Sequence, residues 1–101
     1  MTTFELFPQY TNRKSFYGKA FVISHNGANY LQSYNTIVCG FDKDGNFHRY
    51  WGSWSATTGR HVHDFTMQIA EMRCGKAVWD TFKPENAPIQ PTLHVNVPYF
   101  Y

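Results

Sequence analysis

The sequence predicts a single small α+β domain: a three- or four-stranded antiparallel sheet packed against one main helix. Two observations carry this. Runs of alternating and β-branched residues are separated by Asn-Gly and Asp-Gly turns, and one later stretch repeats its apolar residues at spacings of three and four. The 101-residue length leaves room for one hydrophobic core, and 43% hydrophobic against 16% charged residues sets the chain apart from disordered sequences.

Residues 1–15 show no sustained period and read as a lead-in, ordered only if Phe4, Leu6 and Phe7 dock. From Phe16 to His25 the run is aromatic and β-branched on both faces, as in a strand buried from two sides. Asn26-Gly27-Ala28-Asn29 is a tight hairpin turn, after which a strand covers Tyr30 to Phe41 with a break near Ser33. Asp42-Lys43-Asp44-Gly45 makes a second turn, and Asn46 to Trp51 a further strand with Phe47, Arg49 and Trp51 opposite His48 and Tyr50.

The period then changes. Ser55, Thr57 and Thr58 offer capping oxygens, Val62, Phe65, Ile69 and Met72 form one helical stripe, and Arg60, His63, Asp64, Gln68 and Glu71 take the opposite, solvent-facing side. The helix is expected from about Thr58 to Arg73, with Gly75 as its left-handed cap. Residues 16–76 are thus the sheet and helix core. Residues 77–101 are a proline-rich, aromatic C-terminal segment: Trp79 and Phe82 anchor a short turn or strand, Pro84, Pro88 and Pro91 forbid a continuous helix, and Thr92 to Val97 alternates again.

The segment from Ser15 to Phe65 resembles a group of small proteins encoded by bacteriophages and mobile elements. The likeness rests on Lys14-Ser15-Phe16-Tyr17-Gly18-Lys19-Ala20, on Leu31-Gln32-Ser33-Tyr34-Asn35-Thr36-Ile37-Val38, and on Trp54-Ser55-Ala56-Thr57-Thr58-Gly59-Arg60-His61-Val62. It implies a viral or mobile-element origin, and so a place in the cytoplasm of a bacterial host; it implies no chemistry. No apolar run approaches the roughly 20 residues of a membrane span, so no membrane is expected. With two cysteines, Cys39 and Cys74, no disulfide framework is expected either.

Five constellations bear on function. Ser55, Thr57, Thr58, Arg60 and His61 at a helix start either grip an anion at the positive end of the macrodipole or merely cap the helix. His61, His63 and Asp64 invite a metal or catalytic reading, but positions i and i+2 on a helix point about 200° apart, and no oxyanion donors accompany them. Asp42 to Asn46 has its glycine at the fourth position instead of the sixth, and Ser53 at the twelfth cannot supply a bidentate carboxylate, so the segment reads as a hairpin turn and not as a calcium loop. No catalytic residue, metal or cofactor is therefore expected, and the chain is not read as an enzyme.

His48, Arg49, Tyr50, Trp51 and Trp54 interleave basic and aromatic residues. With Arg13, Lys14 and Lys19 they would make a base-stacking, phosphate-tracking face for single-stranded nucleic acid, although the formal net charge is only +2. Tyr99, Phe100 and Tyr101, preceded by the strand-like Leu93 and Val95, would form a surface for a partner protein or a second copy of the chain. The leading expectation is an accessory protein that binds a host protein of replication, transcription or defence and inhibits it. Single-stranded nucleic-acid binding is the alternative.

Overall fold

The computed structural model describes residues 1–92, so the expected strand from Thr92 to Val97 and the aromatic end lie, from Leu93 onward, outside the described residues. The sheet has five antiparallel strands in simple sequence order: β1 (Thr2–Glu5), β2 (Ala20–His25), β3 (Ala28–Ser33), β4 (Thr36–Phe41) and β5 (Phe47–Arg49). Two helices follow, α1 (Ala56–Ala70) and the single turn α2 (Lys76–Trp79).

The strand count exceeds the expected three or four for two reasons. The run from Tyr30 to Phe41 is two strands joined at Tyr34-Asn35, and the supposed lead-in contributes an edge strand, with Thr2 to Glu5 opposite Ser24 to Phe21. Four residues on a half-exposed edge are too few to show a period. Leu6 docks fully, whereas Phe4 and Phe7 stay about half exposed, at 49% and 51%. The Asn-Gly turn is present but shorter than the expected Asn26 to Asn29, because Ala28 and Asn29 already pair with β2. Asn26 and Gly27 both have positive φ (51° and 81°), the geometry whose twist matches the flanking strands.

Both faces of the sheet are covered. On one, Val22, Leu31, Cys39 and Phe41 meet Val62 and Phe65 of α1 and Trp79 of α2, and Phe41 stacks on Phe65 at 5.6 Å. On the other, Ile23, Ala28, Tyr30 and Ile37 are packed by Tyr50 and by Ile89 of the proline-rich segment. That segment is fastened at both ends. Glu85 donates its backbone N–H to Arg49 O at 2.7 Å, and fully buried Gln32 exchanges side-chain bonds with the backbone of Thr92, at 2.8 Å (from Thr92 N) and 3.1 Å (to Thr92 O). Cys39 and Cys74 are buried free thiols, which burial pushes well above the usual range for Cys39 and up to about 11 for Cys74.

Helix α1 starts and stops earlier than expected. Ser55 is its N-cap, accepting from Thr58 N at 3.0 Å, and Glu71, not Gly75, is the left-handed C-cap; Gly75 instead precedes α2. The expected stripe holds, with Val62 and Phe65 buried and Ile69 and Met72 packed on the core. The expected solvent face does not hold at Asp64, which is fully buried. Its Oδ1 accepts from Gln9 N (2.6 Å), Tyr10 N (2.9 Å) and Gln68 Nε2 (3.0 Å), so it ties the β1–β2 connection to the helix. The reason is tertiary: the incoming N-terminal segment needs acceptors for its N–H groups where it crosses α1.

Candidate functional site

The interleaved run from His48 to Trp54 does not make one face. Arg49 is buried and donates only to carbonyls: Nε to Trp51 O (2.9 Å), Nη1 to Trp79 O (3.3 Å) and Phe82 O (2.9 Å), and Nη2 to Gly52 O (3.0 Å). Its guanidinium also lies 4.8 Å from the Trp79 ring. Trp54 is pressed against Gly59 of α1, where an added Cβ would meet its ring at 2.6 Å, and it packs on Trp79 at 5.4 Å. These two residues knit α1, α2 and the chain after β5 together.

His48 points to the other side of the sheet and bonds two carboxylates, Asp42 through Nε2 (2.8 Å) and Glu85 through Nδ1 (3.0 Å), which raise its pKa from the usual value. The same contact helps hold Asp42 down to about 2. Tyr50 stacks parallel to His48 at 6.1 Å, and its hydroxyl is pushed up to about 12, mainly by burial. Trp51 alone of the five is exposed, on a groove shared with Tyr50, Ile37 and Ile89. Asp42 Oδ1 accepts from Asp44 N and Asn46 N, both at 2.9 Å, which closes the turn. Leu93, Val95, Tyr99, Phe100 and Tyr101 lie outside the described residues.

A different set of residues converges. The chain before β2, the β3–β4 turn and the first turns of α1 enclose a cleft of about 230 Å³ lined by Arg13, Ser15, Phe16, Tyr17, Lys19, Tyr34, Thr57, Arg60 and His61. All three segments that carried the sequence resemblance reach it. Its floor is Phe16 and His61, 5% and 2% exposed, which meet edge to face at 4.6 Å. Tyr17 and Tyr34, 70% and 47% exposed, stand at its rim.

The local chain geometry explains how these rings are placed. Tyr17 and Gly18 have φ of 55° and 70° in a turn closed by Lys19 N donating to Phe16 O at 3.0 Å, while Ser15 Oγ accepts from Tyr17 N at 2.8 Å. Tyr34, at φ 56°, heads the β3–β4 turn, and its N–H donates to Lys19 O at 2.7 Å, which locks the two turns side by side. A bulky aromatic residue at positive φ is unfavourable. Of the four non-glycine residues in that region among the described residues, Asn26 and Tyr34 each head a two-residue hairpin turn, Glu71 caps a helix, and Tyr17 stands in the turn before β2.

Among the described residues the lining has three cations and no carboxylate. Arg60 Nη2 donates to Thr57 Oγ1 at 3.3 Å, Lys19 Nζ lies 5.7 Å from the Tyr34 ring, and among the described residues neither Arg13 nor Arg60 has an ion-pair partner. His61 Nδ1 is 2.7 Å from Ser33 Oγ, and burial, with Arg60 beside it, holds its pKa down to about 4. At neutral pH the ring is therefore uncharged. Of the expected anion-site residues, Thr57, Arg60 and His61 line this cleft, whereas Ser55 and Thr58 spend their hydroxyls on the helix cap. His63 lies away from it, with its ring 6.4 Å from that of Tyr10.

Sequence reading missed Tyr17 and Tyr34 as site residues. The available signals were an aromatic residue in a Tyr-Gly turn and another directly before Asn35 in a hairpin. Among the described residues no helix is long and apolar enough to cross a membrane, and no group of three or more His, Cys, Asp or Glu is placed to hold a metal ion.

Comparison with curated proteins and with solved structures finds no match. A family model does match, over residues 4–81, which takes in the sheet from the middle of β1 onward, both helices and every residue of the cleft. The chain belongs to that family, a family of unknown function (DUF8033).

Proposed function

We propose that this chain is a binding module for single-stranded nucleic acid and that its contact surface is the Tyr17–Tyr34 cleft, not the His48–Trp54 run. The observation that carries the reading is the pair of tyrosines at positive φ on the rim of a cleft lined by Arg13, Lys19 and Arg60 without a carboxylate. Backbone strain persists where surrounding structure over-determines it, and such positions cluster at binding sites. Exposed rings beside cations suit unstacked bases and their phosphates, each stacked base contributing about 1 to 3 kcal/mol. The net charge of +2 is no obstacle, because the field that matters is local to the cleft.

The test is fluorescence anisotropy of a labelled oligothymidylate titrated with the protein at two salt concentrations. Binding should weaken as salt rises. Tyr17→Ala should weaken it by about 5- to 150-fold, the range of one lost stack, while Trp51→Ala leaves it unchanged. Absence of binding at low salt would remove this reading. A second reading, docking onto a host protein, is favoured by Phe4, Phe7 and Tyr10, each about half exposed along the N-terminal segment. Recovery of a nuclease-resistant protein partner that is lost in the Phe7→Ser variant would select it.

A further inference from the structure

We infer that the cleft takes a single nucleotide unit ending in a phosphomonoester, so that its ligand is a phosphorylated strand end or a free mononucleotide and not the interior of a strand. The inference rests on the nucleic-acid reading above and narrows it. Size is the first argument. A volume of about 230 Å³ falls below the roughly 300 to 1,000 Å³ of sites that enclose drug-sized molecules, which suits one base with its phosphate and not a run of them. The buried floor of Phe16 and His61 closes the cleft at its base.

Charge is the second argument. An internal phosphodiester carries one negative charge, whereas a phosphomonoester carries about 1.5 to 2 at neutral pH. Arg13 and Arg60 lack carboxylate partners among the described residues, and together they match the larger charge. Arginine forks suit the several oxygens of a terminal phosphate.

Hydrogen-bonding groups at the floor add to size and charge. Ser33 Oγ sits 2.7 Å from His61 Nδ1. In the tautomer in which the Ser33 hydroxyl donates to Nδ1, the neutral ring carries its proton on Nε2. The Thr57 hydroxyl and the start of α1 lie on the same side, where the helix dipole favours an anion.

The experiment compares affinities of the intact chain for an oligothymidylate with a 5′-phosphate, a 3′-phosphate or neither, and for thymidine monophosphate, thymidine and inorganic phosphate. One of the two end-phosphorylated strands should bind at least about tenfold tighter than the unphosphorylated strand, and the monophosphate should compete where thymidine does not. Arg60→Gln should erase that increment, whereas Tyr17→Ala should weaken the two strands equally. Arg13→Gln, at an exposed site, serves as the second variant if Arg60→Gln fails to fold. Equal affinity for the monophosphate and the end-phosphorylated strand assigns the free nucleotide, and tighter binding of the strand assigns its end; both support the inference. Equal affinity with and without end phosphates overturns it while single-strand binding stands. If neither strands nor the monophosphate bind, both readings fall.

Discussion

Replacing Asp64 by alanine should destabilise the fold nearly as much as removing a core ring, although the sequence places it on the polar side of the helix. Its Oδ1 accepts three hydrogen bonds, two of them from the backbone N–H groups of Gln9 and Tyr10. Bonds to a charged group contribute about 1.5 to 3 kcal/mol each. Water reaches exposed Gln9 and Tyr10 once the carboxylate is gone, and the buried charge, whose Oδ2 has no partner among the described residues, is relieved. Three such bonds would give at least about 4.5 kcal/mol, and both corrections lower that figure, so the expected loss is about 2 to 4 kcal/mol. Phe65→Ala, in the middle of the stripe, should cost about 3 to 5 kcal/mol.

Urea denaturation measures both, with an unchanged m-value showing that the denatured state has not altered. Hydrogen exchange gives an independent readout: the Gln9 and Tyr10 amides should lose protection in Asp64→Ala and keep it in Phe65→Ala to the extent that global stability allows. The same anchor holds the chain that continues to Arg13 and Tyr17, so ligand affinity at the cleft should fall as well. A loss under about 0.5 kcal/mol, the usual range for a surface substitution, would refute the argument.

Arg49→Lys should cost about 2 to 4 kcal/mol in the same denaturation assay, because an ammonium cannot reproduce a planar fork that serves four carbonyls and lies on Trp79; a loss within 0.5 kcal/mol of zero would mean the fork is not needed, by the roughly 0.5 kcal/mol limit of surface changes. Stability should also fall on acidification through His61. Its folded pKa of about 4 lies below the ordinary 6.5, so the unfolded chain binds the proton first, and about 2 kcal/mol present above pH 6.5 is lost by about pH 5. His48 has the opposite sign, since its raised pKa stabilises below the ordinary value and that contribution is lost as pH rises through the folded one. His61→Asn should therefore flatten the acid limb between pH 6.5 and 4, and an unchanged limb would assign it to other groups.

The sequence by itself determined whatever depends on neighbours along the chain. The Asn26-Gly27 and Asp42-to-Gly45 turns, the change of period after Gly52, the Val62–Met72 stripe and the anchoring by Trp79 follow from backbone preference and apolar spacing, and the structure places them as read. Local signal faded at the ends of elements. Glu71 caps α1 in place of Gly75, and β1 is a strand because β2 offers it an open edge, not because four residues prefer to be extended.

Tertiary structure alone decided which polar residues are spent on the fold and which line the cleft. Arg49, Asp64 and Trp54 look like surface chemistry in the sequence, yet each meets partners 30 or more residues away, or is wedged against a helix glycine, and so serves the core. Arg13, Tyr17, Tyr34 and Arg60 are scattered over nearly 50 residues and share no period. They become one cleft only because two strained turns are locked together by Tyr34 N donating to Lys19 O, beside the helix that Ser55 starts. A spacing rule reads contacts within one element, and this site is made between three.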